Sequence, residues 1–242
     1  MPLTKRQEEI LNAIIQEFMD TAEAVGSLTL SDKYGLGISP ATLRSEMSDL
    51  VHEGYLFKEH SSAGRKPTTL GIRYFLDQIL SEEELDKIEE TKCKEKLFQK
   101  RFNRSGFMKE AVRALSELSG LASLSIVDDV AFYSGLGRLL NNPEFEDLEL
   151  LHNTLEILES ESVLSKVFEK FDKDKRLRAL VGDEIGVDAI SECGIVYSPF
   201  RFFRGEKGYI GVIGPRRMDY SRVIPAVRII SEFIEDAING WK

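Results

Sequence analysis

The run SPATLRSEMSDLVH, residues 39–52, carries small hydroxyl side chains and one arginine at helical spacing. At about 100° per residue, Ala41, Ser45, Ser48 and His52 fall opposite Leu43, Met47 and Leu50, with Thr42 and Arg44 at the flanks. Such a face suits the major groove of DNA, where arginine donates twice to guanine and Ser or Thr reaches bases or phosphates. A plain amphipathic helix with a polar surface has the same pattern, so the face alone does not decide. Downstream, Lys58, Arg65, Lys66 and Arg73 are opposed within residues 58–73 by Glu59 alone. Four cations near one turn can contact phosphates and gain affinity by releasing counterions.

Other residue sets offer weaker chemistry. Gly208, Gly211 and Gly214 resemble a phosphate-cradling spacing, but Ile210, Val212 and Ile213 between them read as a strand running into a turn. Asp183 and Glu184 are adjacent acids in a loop, an arrangement that is usually solvated rather than catalytic. His52, His60 and His152 lack metal-ligand spacing, so no metal and no cofactor is expected. Cys193 sits in an apolar run as a small core residue, and with Cys93 reads as a reduced cytosolic thiol. No set of nucleophile, base and orienting group emerges, so the chain is not read as an enzyme.

The elements that position the basic and hydroxyl residues are legible. Thr4 and Gln7 form a capping box for a helix near 5–20, whose Ile10, Leu11, Ile14, Ile15 and Phe18 recur at helical spacing. Ser27 is the expected cap of a second helix from Leu28 to Tyr34, ended by Gly35. Gly35 and Gly37 supply the turn, Ser39 caps the third helix, Pro40 begins it and Gly54 stops it. Residues 55–57 read as a strand and 60–64 as a turn, and Arg65 and Lys66 begin a return strand that Pro67 makes an edge. Helix, turn, helix and a hairpin with a basic tip is the order of a winged helix-turn-helix.

At 242 residues, with 32 basic and 41 acidic side chains, the chain has a formal charge of −9. Taken whole, that balance argues against nucleic-acid binding. Divided, it is −3 over residues 1–80, zero over 81–104 and −6 over 105–242, with the positive patch inside the first segment. These segments are the expected domains: a winged helix at 1–80, a charged connector helix at 81–104 and an α+β domain at 105–242. In that last part, 105–119 is amphipathic, and apolar runs at 121–127, 130–133, 178–182, 193–197 and 208–213 read as strands. A final helix is expected over 220–239. Leu148, Leu151, Leu155 and Leu158 mark another helix, read first as core and second as a possible dimer surface. No secretory signal or membrane span is expected, which places the chain in the cytoplasm.

The strings LTKRQEEILNAII, VGSLTLSDKYGLGISPATLRSEMSDLVHEGYL and HSSAGRKPTTLGIRYF resemble the HrcA family of heat-inducible transcription repressors, and GRLLNNPEFEDLELL and GYIGVIGPRRMDYSRVIPAV extend the likeness. The resemblance implies a GAF-like second domain and a homodimer that represses chaperone operons from an inverted-repeat operator and is released by heat stress. It also implies the GroE chaperonin as a partner. Two positions depart from the family pattern, Ile72 in place of tyrosine and Arg216 in place of threonine. The segments SGLASLSIV and SGLGRLLNNPEF, far apart in the family, are joined here through DDVAFY, so the chain reads as a shortened member with a reduced GAF-like domain lacking the inserted dimerisation region. The rival reading is a ligand-sensing or protein-binding adaptor whose winged helix does not touch DNA.

Overall fold

Thr4 opens the first helix as a full capping box: its hydroxyl accepts from Gln7 N, and the Gln7 side chain accepts from Thr4 N at 3.0 Å. That helix, α1 (Lys5–Thr21), buries Ile10, Leu11, Ile14, Ile15 and Phe18 as its spacing requires. In the computed structural model, which describes residues 3–58, 60, 63–128, 130–170, 177–202 and 205–239, the chain divides into two compact units, Met1–Ser81 and Glu82–Lys242.

In the first unit α1 is followed by α2 (Ser27–Tyr34), α3 (Pro40–His52), β1 (Leu56–Phe57), β2 (Lys66–Pro67) and α4 (Thr69–Tyr74), which continues as a π-helical turn over Phe75–Ile79. Leu30, Leu43, Met47, Leu50, Leu56 and Phe75 close on the apolar face of α1 to make its core. Gly35 and Gly37 have φ of 55° and 69°, left-handed values that glycine adopts without strain. β1 and β2 pair antiparallel, Leu56 opposite Pro67 and Phe57 opposite Lys66. Arg65 also exchanges two backbone hydrogen bonds of 2.9 Å with Val25, so the return strand is pinned from a second side just before Pro67. The arrangement is a winged helix-turn-helix.

Three details correct the sequence reading. Ser27 is not the cap of α2; Gly26 occupies that position, and Ser27 is the buried first residue of the helix. The chain after Pro67 turns helical rather than extending the hairpin. Thr68 caps α4 by accepting from Gly71 N at 3.1 Å, and Ile72 and Phe75 are buried. The charged segment expected as a solvated connector instead forms α5 (Lys87–Lys100) inside the second unit, with Cys93 and Leu97 buried against that unit's own helices.

The second unit continues with α6 (Arg104–Ser119), β3 (Ala122–Val127), β4 (Val130–Ser134), α7 (Leu148–Glu159), α8 (Glu161–Lys170), β5 (Arg178–Val181), β6 (Cys193–Arg201), β7 (Lys207–Pro215) and α9 (Tyr220–Asn239). Its five strands form one antiparallel sheet in the order β4-β3-β7-β6-β5. Helices α6 and α9 pack on one face. On the other face, Leu124, Ile195, Tyr197 and Tyr209 of the sheet share a core with Ile157, Leu158, Leu164 and Phe168 of α7 and α8. β3 is buried along its whole length. Its two serines are satisfied internally: Ser125 Oγ donates to Tyr209 O at 2.8 Å, and Ser123 Oγ donates to Val112 O of α6. Buried hydroxyls need such partners, because an unmade hydrogen bond costs about 1–3 kcal/mol. The fold is α+β, a winged helix followed by a GAF-like unit. No helix among the described residues is long and apolar enough to cross a membrane.

Candidate nucleic-acid interface

The start of α3 is built by Ser39, whose Oγ accepts from Thr42 N at 3.1 Å and lies 2.9 Å from Thr42 Oγ1. Pro40 follows at the first helical position, where its missing N–H leaves no bond unmade. Leu43, Met47 and Leu50 are buried, which leaves Ala41, Arg44, Ser45, Ser48, Asp49 and His52 exposed and Thr42 half-buried. Thr42 thus spends part of its hydroxyl on the cap. Asp49, which the sequence reading passed over, puts a carboxylate on the outer face of the second half of α3. A phosphate backbone repels such a charge.

Arg44 is not a lone side chain on that face. Its Nε donates to Ser27 Oγ at 3.1 Å, across 17 residues of sequence, which ties α3 to the first turn of α2. The hydroxyl that looked like a cap is instead the anchor of the arginine. A cleft of about 640 Å³ opens beside this contact, lined by Gly26, Ser27, Thr29, Arg44, Ser48, Lys58 and the wing residues Ala63, Gly64 and Arg65. Three elements, α2, α3 and the wing, therefore present three cations and three hydroxyls to one concave surface.

The wing cations divide. Lys58 and Arg65 line the cleft, whereas Lys66 lies on β2. Arg73 sits on α4 with Nη1 3.5 Å from Asp77, in the helix that replaces the expected strand. Arg65 turns back along the loop, its Nη1 donating to Ala63 O at 2.9 Å. Gly64 has a steric reason: a Cβ there would lie 2.6 Å from the Ala24 carbonyl, so a side chain would push the wing off the loop preceding α2. Ser61 and Ser62 of the expected turn lie outside the described residues.

Two polar clusters brace this scaffold. Glu17 of α1 accepts from Lys33 Nζ at 2.6 Å and from Tyr34 OH at 2.9 Å at the end of α2. The hydrogen bond from Lys33 holds the Glu17 carboxyl below the ordinary carboxylate value, and burial beside that carboxylate pushes the Tyr34 phenol up to about 12. Tyr74 OH donates to Glu8 Oε1 at 2.6 Å, tying α4 to α1.

The second unit places the remaining candidates in structural roles. Leu158 is buried, Leu151 and Leu155 pack partly buried against the same core, and Leu148 is 76% exposed. Most of the leucine stripe is therefore used within the protomer. Gly208 and Gly211 lie in β7, where a Cβ on Gly211 would run into Val196 O and come within 2.7 Å of Tyr197 Cβ; they serve strand packing. Glu184 Oε2 accepts from Val181 N at 2.9 Å and closes a turn. Burial pushes the Cys193 thiol up to about 12, so it is protonated at neutral pH and packs as an apolar residue 3.6 Å from Thr154 Oγ1.

Comparison with known proteins identifies the family. The family model of the HrcA protein C terminal domain matches residues 66–224. The chain is 25% identical to the heat-inducible transcription repressor HrcA of Carboxydothermus hydrogenoformans, covering 98% of this chain and 99% of that protein. It is 27% identical to the repressor of the same name from Desulforamulus reducens, covering 96% of each. The first alignment runs over 340 positions against 242 residues here, so at least 98 of those positions have no residue of this chain opposite them, as a shortened member requires. A crystal structure of a hypothetical protein matches all of both chains with a TM-score of 0.81 at 16% identity, a likeness that concerns the fold alone. With a family model spanning more than half its length and relatives aligned nearly end to end, the chain belongs to the HrcA family.

Proposed function

We propose that the chain is a cytoplasmic DNA-binding repressor of chaperone operons, which reads an inverted-repeat operator as a homodimer and releases it on heat stress. The observation that carries this reading is the cleft between α3 and the wing. In a chain of net charge −9, it brings Arg44, Lys58 and Arg65 to one surface with Ser27, Thr29 and Ser48. A fold that brings cations together beside an exposed recognition helix is suited to a polyanion of fixed shape. Ser39 and Pro40 orient α3. Ala41, Thr42, Arg44, Ser45 and Ser48 face the bases, and Lys58, Arg65, Lys66 and, from α4, Arg73 face phosphates. Two-fold symmetry in the protein would match that of the operator. Relatives aligned nearly end to end carry the name heat-inducible transcription repressor, which agrees with this reading.

The test is a gel shift on the inverted repeat of the chain's own chaperone-operon promoter, against scrambled duplex, before and after mild heating. Preferential retardation of the repeat, lost on heating, is expected. Binding to neither duplex would favour the adaptor reading instead, and equal binding to both would remove the operator specificity. Adding the GroE chaperonin to the heated sample shows whether recovery of binding depends on it.

A further inference from the structure

Arg44 meets the cleft with its guanidinium already committed on one side. The residue is exposed on α3, yet Nε donates to Ser27 Oγ at 3.1 Å, and Ser27 is buried as the first residue of α2. Gly26 holds the cap position of that helix, so the Ser27 hydroxyl is not needed to start α2. The anchor is itself fixed. Leu30, three residues further on, is fully buried, and Val25, two residues before, exchanges backbone hydrogen bonds of 2.9 Å with Arg65 of the wing. Arg44 makes no other hydrogen bond and no ion pair among the described residues.

A guanidinium can grip a base side-on, through Nε and one terminal nitrogen, or end-on, through both terminal nitrogens. The Ser27 contact takes the Nε donor and leaves the end-on fork. That fork matches guanine, whose O6 and N7 are both acceptors; adenine has a donor in place of O6 and meets only half of it. An arginine already held at Nε also gives up less side-chain freedom on docking than an untethered one. We propose that Ser27 is a specificity-setting positioning residue, which holds Arg44 so that one guanine in each half-site is read end-on through Nη1 and Nη2. The inference deepens the proposed function and rests on its placing of α3 in the major groove of the operator.

The full chain is titrated against the inverted repeat with each G·C pair of the half-site replaced in turn by A·T. Wild type is expected to lose about 5-fold to 150-fold in affinity per half-site at one position, and Arg44→Ala to be indifferent there. Ser27→Ala is expected to shrink the wild-type loss at that same position several-fold, and Ser27→Cys, nearly isosteric but a poor acceptor, to do likewise. Adding Ser27→Ala to Arg44→Ala is expected to change nothing further at any position, whereas a merely structural serine would add its own cost. Arg44→Lys keeps the charge, and with it the salt dependence, but is expected to be as indifferent to the pair as Arg44→Ala. The wild-type loss retained in both Ser27 variants, or a weakening by them that is equal on operator and scrambled duplex, overturns the positioning role. Specific binding with no G·C position that depends on Arg44 overturns it as well and leaves the proposed function standing. Failure of wild type to distinguish the repeat from scrambled duplex removes the operator reading and the inference together.

Discussion

The wing gives the sharpest quantitative test, because its cations act through salt. Replacing Arg65 and Lys66 with alanine removes two charges without touching the backbone exchange between Arg65 and Val25, so the wing keeps its place. Each phosphate contact contributes about 0.9 to the slope of log K against log salt, so two contacts per protomer give about 3.6 for a two-fold dimer. Arg65 already gives one donor to Ala63 O at 2.9 Å. Its guanidinium has further donors, but if it stays turned back, Lys66 alone sets a floor of about 1.8 for the dimer. The expected loss of slope therefore lies between about 1.8 and about 3.6, and a fourfold rise in salt separates wild type from variant by roughly 10-fold to 150-fold. Fluorescence anisotropy on operator and scrambled duplex across a salt series reads both. The loss should be the same on both sequences, because phosphates carry no base identity. An unchanged slope, or a loss confined to the operator, would place these two side chains off the backbone.

Arg44→Ala should instead cost about 1–3 kcal/mol of discrimination between operator and scrambled duplex, and Ser27→Ala should give a smaller loss of the same kind by releasing the Arg44 side chain; competition binding measures both. Ser39→Ala removes the α3 cap and should lower stability by about 1 kcal/mol in denaturant titrations of the full chain. Glu17 has a folded-state value below the ordinary 4.5, so its contribution is complete above that value and lost as pH falls through the folded one. Glu17→Gln should accordingly destabilise the chain at neutral pH and flatten the acid side of its stability curve, read from melts across pH. Cys193 should resist alkylation at neutral pH until the second unit unfolds, as mass spectrometry of labelled peptides would show.

The parts that were legible before the structure share a physical cause: their pattern is local. The capping box at Thr4, the Ser39–Pro40 start of α3 and the αL residues Gly35 and Gly120 each involve only a few consecutive positions. The five strands coincide with apolar runs because most of the sheet is covered on both faces, so alternation disappears and a run remains. What escaped depends on distant partners. Nothing in the neighbourhood of Ser27 announces that its hydroxyl will meet an arginine 17 residues on. α4 was hidden by Pro67 and two threonines that favour extended chain. It forms because Thr68 caps it and Gly71 lets it sit against the Tyr55 carbonyl. α5 looked solvated because only Cys93 and Leu97 are buried in it, a stripe too thin to separate a packed helix from a free one.

Charge connects these levels. A uniformly basic protein would bind any duplex, and its specificity would have to come from base contacts working against a large non-specific background. Here the acids outnumber the bases by nine over the whole chain, while Arg44, Lys58 and Arg65 gather at one cleft. Within the first unit, attraction is therefore concentrated where α3 and the wing reach the duplex together. A misplaced docking brings Asp49 of α3 or the surrounding acids against phosphate and is disfavoured. On this argument the same acidic surplus that counts against nucleic-acid binding in the composition becomes a source of selectivity in the fold. Neutralising surface acids away from the cleft should then raise affinity for scrambled duplex more than affinity for the operator.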